Sequence, residues 1–239
     1  MSGLRKDTLG VLGGMGPLAT ADFMRKLIER TPAEKESEHI PLIVMSAPDI
    51  PDRVAPILTG EGESPLPALL DRRRLLEQAG ARAICMPCNT AHHWEAELVA
   101  ASALPFISIV DAALAAVGKR CAPGAAVGLI GTAATIKSRF YQRRLDQEGF
   151  GVVLPRPDVL IELILPGIAL VKKNRIADAE PLFVAAVGHL LEQGAEAVML
   201  ACTEVDMALP RDDGPERAAA IDTNEALADA CIAWAMKQR

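Results

Sequence analysis

Short apolar runs alternate along the chain with longer segments in which apolar residues recur at helical spacing. The apolar runs predict β-strands at residues 8–13, 41–46, 83–86, 106–109, 126–130, 197–200 and 219–221. The longer segments predict helices at residues 18–30, 67–78, 90–101, 135–148, 161–171, 178–192 and 224–236. Strands and helices that alternate in this way are typical of parallel sheets covered by helices on both faces.

The alternation occurs twice. The run at residues 9–13 parallels the run at 127–131, and residues 109–111 and 220–222 each predict a strand ending on an aspartate that can cap the next helix. We therefore predict an α/β protein with two pseudo-symmetric lobes, each a mainly parallel sheet flanked by helices, and an active site in the cleft between them. The N-terminal lobe comprises residues 1–113 plus 222–239, and the C-terminal lobe comprises residues 114–221.

Residues 47–67 interrupt the alternation. The segment is rich in Pro, Gly, Asp and Glu, shows no sustained period and includes Asp52 and Arg53. Loops of this length in compact domains are usually lids or disordered segments. We predict a loop that closes over a bound substrate.

Composition narrows the classes of partner. The net charge of −6 argues against nucleic acid or an anionic membrane as the main partner, but not against a small anionic ligand in a local pocket. The apolar run at residues 159–171 is too short to span a bilayer. Five cysteines without a regular framework predict reduced thiols and a cytoplasmic protein.

Two cysteines occupy equivalent positions in the repeat. Cys88 and Cys202 each lie eight residues after a glycine, at the end of an apolar run and before small polar residues. Strand ends carry the ligand site in parallel sheets, and a following helix N-terminus favours the thiolate form of a cysteine. We predict two thiols facing each other across a cleft, suited to removing a proton from one face of a carbon and returning it to the other. The polar side chains of Asn89, Thr90 and Thr203 could bind a substrate carboxylate.

Other interpretations of these cysteines remain open. A buried cysteine is commonly just a small apolar side chain. The pair Cys85-x-x-Cys88, with His92 and His93 nearby, also suits a redox or zinc site, although the two thiols should diverge along a strand and no second ligand pair has metal spacing. We predict no metal, and a hydrogen bond from His92 close to the Cys88 thiol.

A glycine-rich turn follows the first predicted strand. Gly14-x-Gly16-x-x-Ala19 matches the dinucleotide fingerprint, but Pro17 opens the helix and no acidic residue ends the next strand, where a ribose contact is needed. Glycines also allow backbone amides to approach any anion closely. We predict anion binding by this turn without a nucleotide cofactor.

Two basic residues are candidates for binding a substrate carboxylate. Arg53 lies on the 47–67 segment, and Lys172 follows the predicted helix 161–171. The run Arg72-Arg73-Arg74, in contrast, falls on a leucine-rich helix and is predicted to form a solvated face.

Four motifs together resemble the aspartate/glutamate racemase superfamily, and most closely its aspartate racemase branch. They are Gly13-Gly14-Met15-Gly16-Pro17, Pro48-Asp49-Ile50-Pro51-Asp52-Arg53, Cys88-Asn89-Thr90-Ala91-His92 and Ala201-Cys202-Thr203-Glu204. In glutamate racemases the second cysteine motif usually continues Thr-His, whereas here Glu204 follows the threonine.

The resemblance implies cofactor-independent racemisation of an acidic amino acid, commonly in a homodimer, with Cys88 and Cys202 as the acid and base. It also implies that Arg53 and Lys172 contact the distal carboxylate. The predicted substrate-binding residues are Gly14, Met15, Gly16, Asp52, Arg53, Asn89, Thr90, Thr132, Lys172, Thr203 and Glu204.

The hypothesis is therefore racemisation of aspartate, with glutamate as a poorer substrate. Two alternatives remain: a related cysteine-dependent isomerase such as maleate isomerase, and a non-catalytic protein that binds acidic amino acids.

Overall fold

The computed structural model describes residues 4–239. Its strands are β1 Leu9–Gly13, β2 Leu42–Ser46, β3 Ala83–Cys85, β4 Phe106–Ile107, β5 Ala126–Gly131, β6 Gly151–Val153, β7 Ala197–Ala201 and β8 Ala220–Asp222. Its α-helices are α1 Pro17–Arg30, α2 Val54–Leu58, α3 Leu66–Gln78, α4 Glu95–Ala100, α5 Ile109–Arg120, α6 Ala133–Ser138, α7 Phe140–Gln147, α8 Pro157–Val159, α9 Leu165–Lys172, α10 Ile176–Glu192, α11 Thr203–Ala208, α12 Pro215–Ala219 and α13 Thr223–Met236. Shorter 3-10 helices cover Glu36–Glu38 and Thr90–Trp94, and a π-helix covers Leu160–Ile164.

The chain divides into two compact units. The first contains the described residues up to Arg53, Gly62–Ala112 and Asn224–Arg239, and the second contains Val54–Glu61 and Ala113–Thr223. The closing helix α13 thus completes the first unit, while α2 groups with the second.

Each unit is built on a four-stranded parallel sheet. The strand order is β2-β1-β3-β4 in the first unit and β6-β5-β7-β8 in the second. The two orders are equivalent, since in each sheet the first strand of the unit lies between the second and the third. The predicted repeat between residues 9–13 and 127–131 corresponds to β1 and β5, which occupy the same position in their sheets.

Aliphatic side chains fill both cores because the chain has few aromatic residues. All of β1 and all of β7 are buried, as expected for central parallel strands covered on both faces. In the second unit α10 packs on α9, and a Cβ at Gly167 of α9 would lie 2.7 Å from the ring of Phe183 on α10. This close approach requires glycine at position 167.

Two predicted element boundaries are wrong. The predicted strand 106–109 ends at Ile107, and α5 begins at Ile109, so that Asp111 lies in the first helical turn instead of capping it. Ser108 serves as the cap, because its Oγ accepts hydrogen bonds from the backbone N–H groups of Val110 and Asp111 at 3.2 and 3.4 Å. Asp222, in contrast, ends β8 directly before α13 as predicted.

Irregular backbone also divides two predicted helices. The predicted helix 135–148 is broken at Arg139, which has a left-handed φ of 58° between α6 and α7. The predicted helix 90–101 begins as the 3-10 helix Thr90–Trp94 before continuing as α4. Amphipathic periodicity extends across both irregularities and therefore does not reveal them.

The 47–67 segment contains a helix that its composition does not predict. Helix α2 spans Val54–Leu58 with Pro56 inside it, and it packs against α6 in the second unit. The carbonyl of Leu58 accepts a hydrogen bond from Nζ of Lys137 on α6. Among the helices within residues 4–239, none has the length and apolarity needed to cross a bilayer.

The prediction of a solvated arginine face on α3 is wrong for its middle member. Arg73 is only 1% exposed, whereas Arg74 is exposed. The Arg73 guanidinium lies 3.5 Å from Glu77 and 3.5 Å from the carbonyl of Leu104. Within the described part of the chain, its Nε and Nη1 atoms have no hydrogen-bond partner. Burial lowers the pKa of Arg73 below its usual range.

We expect the substitution Arg73→Met to leave the free energy of unfolding unchanged or to raise it by about 1 kcal/mol. The reason is that the energy lost when the guanidinium is removed from water offsets its weak attraction to Glu77. Urea unfolding monitored by circular dichroism measures the change. The control Arg74→Met alters an exposed arginine and should shift stability by less than about 0.5 kcal/mol. A loss above about 2 kcal/mol in the Arg73 variant would contradict this interpretation.

Candidate functional site

The carboxyl end of the first sheet carries the Cys88 motif and the glycine-rich turn. Strands β1 and β3 pair in parallel with Val11 opposite Cys85, so the residues that follow the two strands emerge at one edge of the sheet. Gly13 ends β1 and leads into Gly14–Gly16, while Cys88 follows β3 by three residues. The structure thus brings the turn and Cys88 to the same edge.

The second sheet repeats this arrangement. Strands β5 and β7 pair with Gly131 opposite Ala201, the last residue of each strand. Thr132 and Cys202 follow directly and are the N-terminal capping residues of α6 and α11. Each sheet therefore presents one cysteine after its third strand.

Cys88 is held by its own backbone and by His92. The thiol-bearing residue is 6% exposed, and its N–H donates to the carbonyl of Met86 at 2.8 Å. His92 Nδ1 lies 2.8 Å from the Cys88 carbonyl, and the N–H of Ile109 donates to His92 Nε2 at 3.2 Å. The predicted hydrogen bond from His92 close to the thiol is confirmed, and its partner is the Cys88 backbone.

These contacts define the protonation state of His92. Because Nε2 accepts a hydrogen bond, Nδ1 carries the proton that is donated to Cys88. Burial lowers the pKa of His92 to about 4, against a smaller opposing effect of the hydrogen bond to Cys88. His92 is therefore neutral at pH 7 and fixes the turn that carries Cys88.

Cys202 is paired with a carboxylate. Its Sγ donates to Oε2 of Glu204 at 3.1 Å, and Thr203 Oγ1 donates to the same oxygen at 3.2 Å. Cys202, Thr203 and Glu204 are all at most 5% exposed. The Glu204 side chain is folded back over the first turn of α11, towards the cysteine that precedes the helix.

At Cys202, two features oppose the thiolate form that a following helix N-terminus is expected to favour. Burial first, and then the charge and hydrogen bond of Glu204, raise the pKa of Cys202 well above its usual range. Lys172 at the end of α9 acts in the opposite direction and is outweighed. Helix α11 has only six residues, so its macrodipole is a small term beside a full carboxylate charge. Cys202 is a neutral thiol at pH 7.

Asp206 is a site-adjacent residue that the sequence analysis missed. It lies on α11 and is fully buried, with Arg217 at 2.5 Å and Arg211 at 3.3 Å. The two ion pairs tie the helix that follows Cys202 to α12 and to the segment before it. The sequence around Asp206 does not reveal the burial of its side chain, because the pairing with Arg211 and Arg217 depends on how the chain folds.

The glycine-rich turn is shaped by Thr20. The N–H of Gly14 donates to Thr20 Oγ1 at 2.9 Å, and Thr20 Oγ1 donates to the carbonyl of Gly16 at 3.1 Å. Gly14 has a φ of 94°, and a Cβ there would lie 2.2 Å from the N atom of Ala47. Since Thr20 uses the Gly14 N–H, any anion binding by this turn falls to the remaining residues, Met15 and Gly16.

The 47–67 segment begins against this turn. The N–H of Ala47 donates to the carbonyl of Gly13 at 3.2 Å. Asp52 is exposed, and Arg53 is half-buried with Nη1 donating to the carbonyls of Ile50 and Pro51 at 3.3 and 3.1 Å. The Arg53 side chain therefore stabilises the loop that follows β2.

The other predicted polar residues divide between the two edges. Asn89 and Thr90 are buried beside Cys88 in the first unit. In the second unit, Thr132 Oγ1 accepts from the N–H of Thr135 at 3.1 Å and caps α6, while Lys172 is exposed and close enough to Cys202 to influence its ionisation.

Cys85 has a different neighbour. Its thiol is buried and hydrogen-bonds with Cys231 on α13, whose pKa is raised well above its usual range, mainly by burial. Within residues 4–239, no group of three or more His, Cys, Asp or Glu side chains is placed to hold a metal ion.

A family model described as Asp/Glu/hydantoin racemase matches residues 12–231. The chain belongs to the Asp/Glu/hydantoin racemase family. Picrophilus torridus aspartate racemase has a similar structure, with a TM-score of 0.83 and 32% sequence identity over 96% of this chain and 94% of that one. The broad specificity amino-acid racemase RacX of Bacillus subtilis (strain 168) is 27% identical over 206 residues, which are 84% of this chain and 87% of the relative.

More distant members share the fold. Glutamate racemase from Francisella tularensis, solved in complex with D-glutamate, has a TM-score of 0.67 at 16% identity and covers 98% of this chain and 82% of that one. The family match and the two parallel sheets flanked by helices confirm the predicted two-lobe α/β fold class and the predicted superfamily.

The neutral state of His92 makes stability depend on pH. In the folded protein the pKa of His92 is about 4, below the ordinary value of 6.5 that applies to the unfolded chain. As the pH falls between these two values, the unfolded chain binds a proton at His92 and the folded protein does not, so the folded state loses stability. Between pH 7 and pH 5, we expect the free energy of unfolding to fall by about 2 kcal/mol more in the wild type than in the His92→Gln variant. Urea unfolding at both pH values measures this difference. The control His93→Gln changes an exposed neighbour and should keep the wild-type dependence. An equal loss in the His92 variant would contradict the assigned protonation state.

Proposed function

We propose that this protein racemises an acidic amino acid, most directly aspartate, without a cofactor, and that Cys88 and Cys202 are the two groups that exchange protons with the α-carbon. The observation that carries the proposal is the equivalent placement of the two cysteines. Each is buried, each follows the third strand of a parallel sheet, and each sheet has the same strand order.

A racemase needs two proton-transfer groups in unequal protonation states. One thiolate removes the α-proton, and a neutral thiol on the opposite face protonates the planar intermediate. Since burial and Glu204 favour the neutral form of Cys202, we assign Cys202 the role of acid when Cys88 is the base. In the reverse direction the roles exchange.

The intermediate requires electrostatic stabilisation, because the proposed mechanism has no pyridoxal ring to accept electrons. The polar groups at the two sheet edges can supply it: Asn89 and Thr90 beside Cys88, and Thr132 and Thr203 beside Cys202. Their burial strengthens each interaction relative to water, because the local dielectric is low. The Ala47–Arg53 loop starts against the glycine-rich turn, which supports its role in closing over the substrate.

Two cations support an acidic substrate. Arg53 lies on the loop that follows β2, and Lys172 ends α9 and influences the ionisation of Cys202; in the proposed mechanism each binds the second, distal carboxylate. The similarity to Picrophilus torridus aspartate racemase favours aspartate, whereas RacX is named for broad specificity, so wider amino-acid racemisation is the second candidate. The homodimer and the cytoplasmic location remain predictions.

We expect purified, reduced and metal-free protein to remove the optical rotation of L-aspartate and D-aspartate, and to act more slowly on glutamate and on neutral amino acids. Polarimetry across the amino acids measures this order. Turnover of neutral amino acids as fast as aspartate would favour the broad-specificity candidate.

The substitutions Cys88→Ala and Cys202→Ala should each lower kcat by at least about a thousandfold, because each removes one of the two proton-transfer groups. The matched control is Cys121→Ala, which removes a half-buried thiol of the second unit that has no assigned role. Near-wild-type turnover in either Cys88→Ala or Cys202→Ala would overturn the two-thiol mechanism.

A further inference from the structure

The chain passes from the first unit to the second directly after Arg53. Residues 54–61 belong to the second unit, whereas the chain up to Arg53 and Gly62–Ala112 belong to the first. Helix α2 begins at the residue after Arg53 and packs against α6. The position of Arg53 therefore depends on how firmly α2 is attached to α6.

Helix α2 has little stability of its own. It has only five residues, and a helix this short is not stable in water without packing. Its apolar side chains Val54, Ile57 and Leu58 are only half-buried. Thr59 adds a local hydrogen bond, from its Oγ1 to the carbonyl of Ala55 at 3.1 Å. The helix therefore depends on further contacts to remain on α6.

Lys137 supplies such a contact. It lies on α6, and its Nζ donates a hydrogen bond to the carbonyl of Leu58, the last residue of α2. The last carbonyls of a helix lack partners within the helix, and a lysine that binds one of them satisfies it through a charge-assisted hydrogen bond. Lys137 thus holds the C-terminal end of α2, and Arg53 precedes its N-terminal end.

Helix α6 is in turn fixed to the second sheet. Its N-terminal cap is Thr132, whose Oγ1 accepts from the N–H of Thr135 at 3.1 Å. Thr132 directly follows β5, which pairs with the strand that leads to Cys202. A series of contacts therefore runs from β5 through α6 and α2 to the peptide bond that follows Arg53.

We propose that Lys137 is a positioning residue for Arg53: by holding α2 on α6, it keeps Arg53 in place to bind the distal carboxylate and so sets the preference for acidic substrates. The inference rests on the proposed function and deepens it, because it adds a residue that determines specificity without contacting the substrate. Since Lys137 has no role in proton transfer, its loss should change KM and not kcat.

The test replaces Lys137 by Met, which keeps most of the side-chain length and removes the donor. We expect the KM for aspartate to rise about threefold to tenfold and kcat to change less than about twofold, because the loss of one hydrogen bond loosens α2 and leaves both thiols in place. Lys137→Arg keeps a donor and should restore most of the wild-type KM.

The matched control is Lys119→Met, which removes another exposed lysine of the second unit, on α5. It lowers the net charge by the same amount and should leave KM unchanged. If the KM for aspartate rose equally in Lys119→Met and Lys137→Met, the effect would be one of net charge and the proposal would be overturned.

A double-mutant cycle separates positioning from a direct effect of Lys137 on the substrate. Arg53→Ala removes the side chain that Lys137 is proposed to position. In this background, Lys137→Met should raise the KM for aspartate by less than about 1.5-fold, because the two residues act through one interaction. The same factor with and without the Arg53 side chain would show that Lys137 acts independently, which contradicts the proposal.

A measurement without turnover distinguishes failure of this inference from failure of the proposed function. Trypsin cleaves after Arg53 when the chain around the Arg53–Val54 bond is released, and mass spectrometry quantifies the fragment that ends at Arg53. Without substrate, we expect this fragment to form about threefold to tenfold faster in Lys137→Met than in the wild type, and at the wild-type rate in Lys119→Met.

An unchanged rate of cleavage in Lys137→Met would overturn the inference, whether or not the wild type racemises any amino acid. Faster cleavage in a protein that did not racemise aspartate would support the attachment of α2 by Lys137 and overturn the proposed function alone.

Discussion

Parallel pairing of the first and third strands of each sheet is the constraint on which the site depends. It aligns β1 with β3 and β5 with β7, so the residues after each pair emerge at one edge. In the first unit these residues are the glycine-rich turn and Cys88, and in the second they are Thr132 and Cys202. A shift of register in either pair would separate the cysteine from its neighbours without changing its local sequence.

Burial determines what the thiols can do. A cysteine in an apolar environment resists ionisation, and at Cys202 lost hydration and the adjacent carboxylate of Glu204 together raise the pKa of the thiol. The same low dielectric strengthens the hydrogen bonds that hold the site residues. His92 is an example: burial keeps the ring neutral, and both ring nitrogens form hydrogen bonds with backbone groups of the first unit.

Much of the fold follows from periodicity and from the internal repeat. The runs at 9–13 and 127–131 lie at equivalent positions, and both cysteines follow the strands from which they were predicted to emerge. What periodicity misses depends on tertiary contacts. Arg73 is buried because of the way α3 packs. The helix is broken at Arg139 because this one residue has a left-handed backbone. The contact between Glu204 and Cys202 depends on the side-chain conformation of Glu204. Local pattern contains none of these.

The central claim is that two thiols act on opposite faces of one carbon, and isotope transfer from solvent tests it most directly. One enantiomer of aspartate is incubated with the enzyme in deuterium oxide, and the early product and the remaining substrate are separated and analysed by mass spectrometry. The account predicts deuterium at the α-carbon of the product and almost none in the remaining substrate, because the proton donor is a solvent-exchanged thiol distinct from the base. A product that keeps its original hydrogen, or a substrate labelled as fast as the product, would contradict it.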